Sequence, residues 1–469
     1  ADRQPERPAL VWEGETVSYG ALLTESRRLA AGLAALGVEA GDTVAVWLRN
    51  RPAWLEVQLA SSSLGAAVVA VNTRYRRHEL EYLLADAGVS ALLTESAFLG
   101  TDYLDVVASL VPAISGPVEG SLKTASFPAL DHVIAVDGAG DYPGVREYAA
   151  VKERGAATTA PVPVDDPGAP ACVFYTSGTT SDPKGCPQSN RSLLEHAHQV
   201  GAHFDLGAED VGLGALPFCG VMGHNTAFSA LSHGIPLVVQ GHFDAAATLD
   251  LIETHGVTYF SAIGSMYERL VDADGFEPAR VASLETGAVA FVNGRDDVTF
   301  ERIEDAVGFP LVQPYGLLEG NSQIFVGDPA APRAQRLRVG GPLVYPTAEA
   351  VRVVDPETGD PLDPGEQGEL VLRGVNVIDG YLGKPEATAA AFDDGGWFHT
   401  GDLGERDGDG NVYYHARMDD ALRTRGFLVA PPEIESAILA HPAVERAQVV
   451  GVPHDRHAEV PAACVIGSG

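Results

Sequence analysis

Basic residues are scarce in this chain of 469 residues. It has 31 lysines and arginines against 64 aspartates and glutamates, which gives a formal net charge of −33 at pH 7. Nucleic-acid backbones and anionic membranes are bound by clustered lysine and arginine, so this balance argues against both as partners. Any phosphate group that the protein binds must therefore be held by local features.

Cysteines and long apolar runs are also few. Cys172, Cys186, Cys219 and Cys464 show no C-x-x-C spacing, so neither a zinc site nor a disulfide framework is indicated. The longest apolar run, around 64–71, is far shorter than the ~20 residues of a membrane span. The first residues do not have the pattern of a signal peptide, so none is expected. These features predict a cytoplasmic protein without a membrane span.

The chain does contain enough apolar residues for several cores. Hydrophobic residues make up 45% of it and charged residues 20%, which excludes an acidic disordered polymer and places the charge on packed domains. At roughly 150 residues per domain, the length predicts two to four units.

Helix and strand patterns alternate in two segments, 1–165 and 171–320. Strands are predicted at 42–48, 66–71, 89–93, 172–175, 236–239 and 257–261. A passage rich in Gly, Pro, Asp and Ala at 155–170 reads as the linker between the segments. Such alternation predicts an α/β fold with mostly parallel sheets covered on both faces.

The pattern changes towards the C-terminus. Short strands at 349–354, 368–373 and 411–415, separated by Pro, Gly and Asp turns, predict an antiparallel β-barrel-like region over 335–416. A proline-capped helix at 432–439 and strands at 447–452 and 462–466 predict a small α+β domain over 419–469 that stops short. The large N-terminal domain then spans 1–418.

The densest motif is Tyr175-Thr-Ser-Gly-Thr-Thr-Ser-Asp-Pro-Lys-Gly185. Its backbone N–H groups and hydroxyls could surround a polyphosphate, and Lys184 adds a positive charge. A solvated surface turn has the same composition, and the spacing is not that of the Walker loop. The residues alone leave phosphate binding and a surface turn equally open.

This loop resembles the signature loop of the ANL superfamily of acyl-activating, AMP-binding enzymes, which includes acyl-CoA synthetases, adenylation domains and firefly luciferase. Further motifs carry the resemblance in the family's order over nearly the whole chain. They are Asn72-Thr-Arg-Tyr75, Tyr315-Gly-Leu-Leu-Glu319, Gly368-Glu-Leu, Gly380-Tyr381, Trp397-Phe-His-Thr-Gly-Asp-Leu403, Arg417-Met-Asp-Asp420 and Gly426-Phe-Leu-Val-Ala-Pro431. The chain looks most similar to actinobacterial-type acyl-CoA ligases of the fatty-acid or 4-coumarate class. The resemblance implies the ANL architecture, with a large N-terminal and a small C-terminal domain.

The resemblance also implies an acid–thiol ligase. In the family, a carboxylate attacks the α-phosphorus of ATP to give an acyl-adenylate and pyrophosphate, and the thiol of coenzyme A then attacks the acyl-adenylate. ATP or AMP, coenzyme A and Mg²⁺ are therefore the implied cofactors. The implied partner is a small carboxylic acid or its adenylate, and a homodimer stays open. Because neither step needs a covalent enzyme nucleophile, catalysis is expected to rest on positioning and charge stabilisation.

Individual residues receive roles from the same resemblance. Glu319 matches the family's magnesium-associated glutamate, Asp402 the aspartate that accepts both ribose hydroxyls, and Arg417 the arginine that also reaches the ribose. Asp419 matches the hinge about which the small domain rotates. Arg423 and Arg425 replace lysines beside that hinge, where they would face phosphate or pantetheine. The alternatives are a helix-start glutamate, a turn aspartate and a solvated basic strand edge.

The implied sets are as follows. The catalytic set is Thr176, Lys184, Glu319, Arg423 and Arg425. The nucleotide-binding set is Thr176, Ser177, Gly178, Thr179, Thr180, Phe291, Val292, Asn293, Pro314, Tyr315, Gly316, Leu318, Glu319, Asp402, Arg417, Arg423, Arg425 and Gly426. The acyl-pocket set is Phe218, Cys219, Gly220, His224 and Gly316.

Three departures from the family pattern fall on the ATP side. Ser181 replaces a glycine of the phosphate loop, Leu318 replaces a threonine that would contact the α-phosphate, and Phe291 replaces a glycine beneath the adenine. One lost hydrogen bond to a charged oxygen costs roughly 1.5–3 kcal/mol, so weakened adenylation is expected. The chain also ends at Gly469, before the family's late lysine, which truncation would explain. The alternatives are a ligase that only thioesterifies a supplied acyl-AMP, an acyl-adenylate-binding protein, and an enzyme that loads a carrier-protein thiol.

The acyl pocket departs as well. The motif Pro217-Phe-Cys-Gly-Val-Met-Gly223 normally carries a bulky histidine or aromatic residue at the position of Gly220. Small residues at 219 and 220 predict a roomier pocket and hence a large hydrophobic acid, with neutral drift as the alternative. His399, within the motif 397–403, is expected to have a structural hydrogen-bonding role.

Overall fold

A computed structural model of the chain describes residues 4–122, 124–159, 161–176, 182–291, 297–345, 350–424, 427–439, 441, 443–454 and 458–467. The chain divides into two compact units. The first comprises Ala1–Tyr259 and Val375–Thr388, and the second comprises Phe260–Gly374 and Ala389–Gly469.

A seven-stranded sheet forms the centre of the first unit. Its strands, in spatial order, are Gly185–Ser189, Pro170–Tyr175, Ala67–Ala70, Thr43–Trp47, Ala91–Thr94, His132–Ala135 and Arg146–Glu147. Only the outermost pair, Pro170–Tyr175 with Gly185–Ser189, is antiparallel, and the other neighbours run parallel. The predicted mostly parallel sheet is therefore confirmed. Apart from Thr43, every residue of its three central strands is buried, as expected for a sheet covered on both faces.

A second sheet of this unit joins distant parts of the chain. Its strands are Gly212–Gly214, Leu237–Val239, Pro8–Trp12 and Glu15–Ser18, in that order. Leu10 pairs with Leu237, while in the larger sheet Cys172 pairs with Val68. The two α/β segments of the sequence thus exchange strands. The predicted strand 257–261 forms only one bridge in this unit, between Tyr259 and Gly212.

Eight helices lie wholly within the first unit's described residues. They are Tyr19–Ala34, Pro52–Leu64, Arg77–Asp86, Tyr103–Leu110, Tyr148–Ala156, Asn190–His203, Val221–Ser232 and Ala245–His255. Helix Tyr19–Ala34 begins at Ser18, whose hydroxyl accepts a hydrogen bond from the Ala21 N–H.

Helices Tyr19–Ala34 and Tyr148–Ala156 touch through glycine. A Cβ on Gly155 would lie 1.9 Å from the carbonyl oxygen of Arg28, and one on Gly32 would lie 2.2 Å from that of Val151. Only residues without a side chain allow the two backbones to approach this closely.

The second unit contains the predicted antiparallel β region. Its five strands, in spatial order, are Gly340–Gly341, Val412–Arg417, Phe398–Arg406, Gln367–Leu372 and Val351–Val354. All four neighbouring pairs are antiparallel, as predicted, whereas the bounds 335–416 and the barrel-like form stay predictions. Short strand pairs join Ala262–Ile263 to Val289–Ala290 and Pro314–Tyr315 to Phe325–Val326.

The C-terminal part of this unit is a four-stranded sheet with one helix. The strands are Phe427–Val429, Leu422–Thr424, Ala458–Gly467 and Val444–His454, and the helix is Pro431–Leu439. The remaining helices of the unit are Gly264–Val271, Asp297–Val307 and Arg333–Arg336, and Pro385–Ala391 crosses the boundary between the units. Within the described ranges, no helix has both the length and the apolar character needed to cross a membrane.

Candidate functional site

A buried carboxylate, Asp402, organises a polar cluster in the second unit. Asp402 lies on strand Phe398–Arg406 and is only 4% exposed. It stands opposite Arg417 in the register of strand Val412–Arg417, and Arg417 Nη1 donates to Asp402 Oδ1 at 2.8 Å. Tyr315 Oη donates to the other carboxylate oxygen at 2.6 Å. The cross-strand register therefore brings Asp402 and Arg417 together, and the hydrogen bond from Tyr315 adds a third residue of the predicted nucleotide-binding set.

Burial alters the titration of this cluster. Burial raises the pKa of Asp402, although the hydrogen bonds from Tyr315 and Arg417 oppose it, and the nearby charge of Glu319 raises it further. Burial also raises the pKa of the Tyr315 hydroxyl, which keeps that hydroxyl a donor. Burial opposes the charge of Arg417, but the neighbouring Asp402 outweighs it, so the pKa of Arg417 is raised.

Aromatic stacking fixes the Tyr315 ring. The ring lies 5.3 Å from Phe325 and 5.5 Å from Tyr414, nearly parallel to both. Arg417 Nη1 also donates to the Thr400 carbonyl oxygen at 3.0 Å. An ionised carboxylate offers about four lone-pair sites, so Asp402 retains acceptor capacity towards a diol even with both protein donors in place.

The turn after Tyr315 presents Gly316, Leu318 and Glu319. Ser322 N–H bonds to the Leu317 carbonyl and Ile324 N–H to that of Tyr315, which closes the turn on itself. A Cβ on Gly316 would lie 2.4 Å from the Gln323 nitrogen, so the closed turn requires glycine there. Glu319 is nearly buried in the short helical turn Leu318–Gly320, close enough to Asp402 for its charge to act on that carboxylate.

Glu319 is suited to bind Mg²⁺ together with a polyphosphate. In the described part of the chain, no three His, Cys, Asp or Glu side chains are grouped so that they could hold a metal ion. Mg²⁺ commonly takes one or two carboxylates and completes its coordination with water and substrate phosphates. A single carboxylate with a second one nearby therefore fits Mg²⁺ that arrives with a polyphosphate.

The remaining nucleotide-binding candidates of this unit are more scattered. Pro314 is half-buried next to Tyr315 on the same short strand. The Phe291 ring packs onto Gly264, where an added Cβ would lie 2.5 Å from two ring carbons. Val292 and Asn293 lie outside the described residues.

The predicted phosphate loop is described at its base in the first unit. Thr176 N–H bonds to the Lys184 carbonyl, and Lys184 N–H bonds to Thr176 Oγ1, both at 3.0 Å. These two bonds bring the ends of the loop together directly after strand Pro170–Tyr175. Ser177, Gly178, Thr179, Thr180 and Ser181 lie outside the described residues.

The acyl-pocket candidates of the first unit occupy the start of helix Val221–Ser232. Phe218 is fully buried and its N–H donates to Asn50 Oδ1 at 2.7 Å. The Cys219 side chain is half-buried and Gly220 is exposed at the helix N-cap. A Cβ on Gly220 would meet only the Pro217 carbonyl oxygen, at an ordinary 3.4 Å, so sterics do not require glycine here.

His224 sits one helical turn further on among aromatic rings. Its ring stacks on Phe228 at 4.5 Å and meets Trp54 and Phe174 edge-on, each at 5.4 Å. Burial lowers the pKa of His224 to about 3, so the imidazole is neutral at physiological pH. Within the described ranges, its Nε2 has no hydrogen-bond partner. A buried polar atom of this kind usually needs a water or a ligand.

The predicted hinge lies beside a cavity in the second unit. The cavity has a volume of about 520 Å³, and Arg417, Asp419, Asp420, Glu435 and Gln448 are among its lining residues. Asp419 is exposed in the turn after strand Val412–Arg417. Arg423 lies on strand Leu422–Thr424, while Arg425 and Gly426 lie outside the described residues.

Sequence reasoning missed several residues that support these groups. Tyr414 and Thr400 flank Asp402, and Tyr381 lies beneath the Lys184 side chain. In the sequence, Tyr381 stands out only as part of the motif Gly380-Tyr381, and Tyr414 only as a residue of the predicted strand 411–415. His399 Nδ1 is bonded to Glu369 Oε2 at 2.9 Å, as its predicted structural role requires.

Comparisons with known proteins match both ends of the chain. A family described as AMP-binding enzyme matches residues 1–382, and the AMP-binding enzyme C-terminal domain matches residues 433–468. The 4-coumarate–CoA ligase 5 of Oryza sativa subsp. japonica is 31% identical over 97% of this chain and 81% of its own length.

Solved structures agree with these matches. ATP-bound MatB from Rhodopseudomonas palustris has a TM-score of 0.82 and 27% identity, covering 99% of this chain and 86% of that one. The o-succinylbenzoate coenzyme A synthetase MenE from Bacillus subtilis, in complex with its acyl-adenylate intermediate, has a TM-score of 0.77 and 28% identity over 99% of this chain and 86% of that one. The same synthetase has also been solved with ATP and a magnesium ion, with a TM-score of 0.76, 28% identity and coverage of 98% and 87%.

Proposed function

Since the chain belongs to the family of AMP-binding enzymes, the ANL superfamily of acyl-activating enzymes, we propose that it joins a large hydrophobic carboxylic acid to coenzyme A by way of an acyl-adenylate. The relatives are CoA ligases and synthetases, and the chain is likewise an acid–thiol ligase.

The observation that carries the proposal is the buried Asp402 with its two donors. A carboxylate held at 2.6 and 2.8 Å by Tyr315 and Arg417 is rigid, ionisable and able to accept further hydrogen bonds. That arrangement suits the adjacent hydroxyls of a ribose. Arg417 adds a positive charge near the place where the adenylate phosphate would lie.

Two chemical steps follow from this assignment. The carboxylate of the acid attacks the α-phosphorus of ATP, and pyrophosphate leaves. The thiol of coenzyme A then attacks the acyl carbonyl, and AMP leaves. Bound Mg²⁺ would neutralise phosphate charge beside Glu319.

The protein groups act by position and charge. For the first step, we assign Lys184 and the predicted phosphate loop to stabilise charge on the phosphate oxygens, and Asp402 to bind the sugar. In the second step, Asp402 and Arg417 hold the AMP leaving group. We assign Arg423 and Arg425 to the coenzyme A side. We place the reaction in the cytoplasm, where both ATP and coenzyme A are supplied.

The acyl side supports a bulky apolar acid. Gly220 has room for a side chain that the sequence does not use. The aromatic residues Phe218, Trp54 and Phe174 are fully buried, so the core next to this helix start is apolar. Burial keeps His224 neutral, so it adds no charge to this region. An apolar pocket with few polar groups selects by size and shape.

Three substitutions support unequal half-reactions. Leu318 offers no hydroxyl to an α-phosphate, the Phe291 ring fills space that a glycine would leave open, and Ser181 adds a side chain to the phosphate loop. Adenylation depends on every donor around a five-coordinate phosphorus, whereas thioesterification starts from an activated carbonyl. We therefore assign the chain a faster second than first half-reaction.

The test supplies substrates for the whole reaction and, separately, for the second half-reaction alone. Purified protein is given a panel of aromatic and aliphatic acids with ATP, Mg²⁺ and coenzyme A, and in parallel the matching acyl-AMP with coenzyme A. Mass spectrometry should detect the same acyl-CoA in both arms, with bulky acids preferred. Binding of acyl-AMP without formation of any thioester would indicate an acyl-adenylate-binding protein. Transfer of the acyl group only to a carrier-protein thiol would show that this thiol, and not coenzyme A, is the acceptor.

A further inference from the structure

A segment from late in the chain packs against the predicted phosphate loop. Val375–Thr388 belongs to the first unit, although the whole stretch Phe260–Gly374 intervenes. The Leu382 N–H donates to the Gly185 carbonyl oxygen at 2.9 Å. Gly185 is the residue directly after Lys184, so this bond fixes the C-terminal end of the loop.

The same segment places an aromatic ring beneath the Lys184 ammonium. Lys184 Nζ lies 4.3 Å from the centroid of the Tyr381 ring, within the range of a cation–π interaction. Tyr381 is buried at 7% exposure, so its ring is a fixed surface. Among the described carboxylates, none forms an ion pair with Lys184.

Backbone and side-chain bonds hold Tyr381 in that place. The Tyr381 N–H donates to Thr388 Oγ1 at 2.9 Å, and the Lys384 N–H donates to the Tyr381 carbonyl at 3.2 Å. Lys384 Nζ then reaches Asp86 Oδ1 at 2.6 Å on helix Arg77–Asp86. The short segment is thereby attached to the main body of the unit on both sides of Tyr381.

Two tyrosines extend this attachment to the loop itself. Tyr175 Oη donates to Asp86 Oδ2 at 2.9 Å, and Tyr82 Oη donates to the Pro183 carbonyl at 2.8 Å. Because of these contacts, Lys384 and Lys184, two of only four lysines in the chain, belong to one connected network around the last residues of the loop.

We propose that Tyr381 is a positioning residue for Lys184 in the adenylation half-reaction. The proposal rests on the proposed function, because it assumes that Lys184 meets a phosphate. A lysine side chain has large rotamer freedom, and holding its ammonium beforehand reduces the entropy lost on binding. A ring face uses none of the three N–H donors in a directed hydrogen bond, so those donors stay available to phosphate oxygens.

The first test distinguishes the contribution of the Tyr381 ring face from that of the Tyr381 hydroxyl. Tyr381→Leu removes the π face and keeps an apolar side chain, while Tyr381→Phe keeps the face. With acid, ATP and Mg²⁺, Tyr381→Leu should lower kcat/KM for ATP about three- to tenfold, the size expected for one such contact. Tyr381→Phe should retain the activity of the unmutated enzyme. Thioester formation from supplied acyl-AMP should be unchanged in both variants, since pyrophosphate has already left.

The second test is a double-mutant cycle with Lys184→Met. If Tyr381 acts through the lysine, adding Tyr381→Leu to Lys184→Met should cost nothing further. Fully additive losses would overturn the proposal. So would equal losses in the Phe and Leu variants, or equal slowing of both half-reactions, because each indicates a merely structural ring.

Calorimetric titration with Mg·ATP distinguishes this proposal from the proposed function. If the unmutated protein binds Mg·ATP and Tyr381→Leu weakens that binding three- to tenfold, the positioning role stands even where adenylation is slow. Equal binding by both proteins overturns the positioning role alone. No binding by the unmutated protein overturns the proposed function and the positioning role together.

Discussion

Burial moves the titration of two individual side chains in ways that can be measured. His224 and Asp402 are both nearly inaccessible to solvent, at 1% and 4% exposure. Burial disfavours the charged form of each side chain, so the neutral form is more stable in the protein than in water. For histidine this lowers the pKa and for aspartate it raises the pKa.

The His224→Phe variant should have a flatter dependence of stability on pH. In the folded protein the pKa of His224 is lowered to about 3, from 6.5 in the unfolded chain. Between these values the unfolded chain binds a proton that the folded protein does not, so the free energy of unfolding falls as pH falls. The contribution is up to about 1.4 kcal/mol per pH unit, and Phe should remove it because phenylalanine does not titrate.

Urea unfolding between pH 7 and pH 4 measures this slope. His78→Phe is a matched control, since His78 is exposed at the start of helix Arg77–Asp86 and its replacement should leave the slope as it is. An unchanged slope in His224→Phe would mean that the buried imidazole is protonated in the folded protein.

Asp402→Ala should weaken the binding of AMP or of a stable acyl-AMP analogue at least tenfold. Two charge-assisted hydrogen bonds to the ribose, at roughly 1.5–3 kcal/mol each, would be lost. Because burial raises the pKa of Asp402, the binding of AMP by the unmutated protein should also fall at a higher pH than for an ordinary aspartate. Calorimetry as a function of pH measures both effects.

The neighbouring tyrosine provides the comparison for that variant. Tyr315→Phe keeps the stacked ring and removes one donor to Asp402, so it should lose less affinity than Asp402→Ala. A dissociation constant in Asp402→Ala equal to that of the unmutated protein would refute the ribose assignment.

At the scale of elements, the crossing of two helices depends on the absence of side chains. Gly155→Ala should destabilise the protein by about 1–3 kcal/mol, as overpacking typically does. The added Cβ would lie 1.9 Å from the Arg28 carbonyl oxygen, and the Gly32 backbone lies opposite. Thermal or urea unfolding measures the loss. Gly116→Ala, which would meet nothing within 4 Å, should leave the unfolding midpoint unchanged.

Elements defined by local pattern were predictable, and their partners were not. Apolar runs located Thr43–Trp47 and Ala67–Ala70 correctly, because both strands are buried on two faces. No local signal tells that Pro8–Trp12 pairs with Leu237–Val239. Segment 257–261 has the composition of a strand, yet the chain passes there from one unit to the other, so Tyr259 and Phe260 bond to different neighbours.

For the candidate site, too, the residues could be named from the sequence, while most of their contacts could not. Asp402 and Arg417 lie in motifs that could be aligned with a family, and the register of two strands then explains their contact. Tyr381 lay in such a motif too, but its contact with Lys184 depends on a segment that returns from nearly two hundred residues later. Contacts of this kind follow from the folded chain and not from spacing.

At the scale of the whole molecule, the two half-reactions should proceed at different rates. The rate of thioester formation from acyl-AMP and coenzyme A should exceed the rate of pyrophosphate release from acid, ATP and Mg²⁺. Each missing phosphate contact should lower the second rate by about one to two decades. Stopped-flow or quench-flow comparison of the two rates measures the gap.

Restoring the family residues tests the cause of that gap. Leu318→Thr adds a hydroxyl, and Phe291→Gly removes the ring that packs onto Gly264. Either change should narrow the difference between the rates, and the pair together should narrow it more. Pyrophosphate release that already keeps pace with thioester formation would make the chain an ordinary two-step ligase.

The return of Val375–Thr388 to the first unit has a consequence for synthesis on the ribosome. Leu382 packs against the core cluster that contains Tyr175 and Val173, so that part of the core is not covered when residue 185 emerges. At 5–20 residues per second, about 10 to 40 seconds separate the synthesis of Gly185 from that of Leu382. During that interval the nascent first unit exposes apolar surface beside its predicted phosphate loop, which is where a ribosome-associated chaperone would bind.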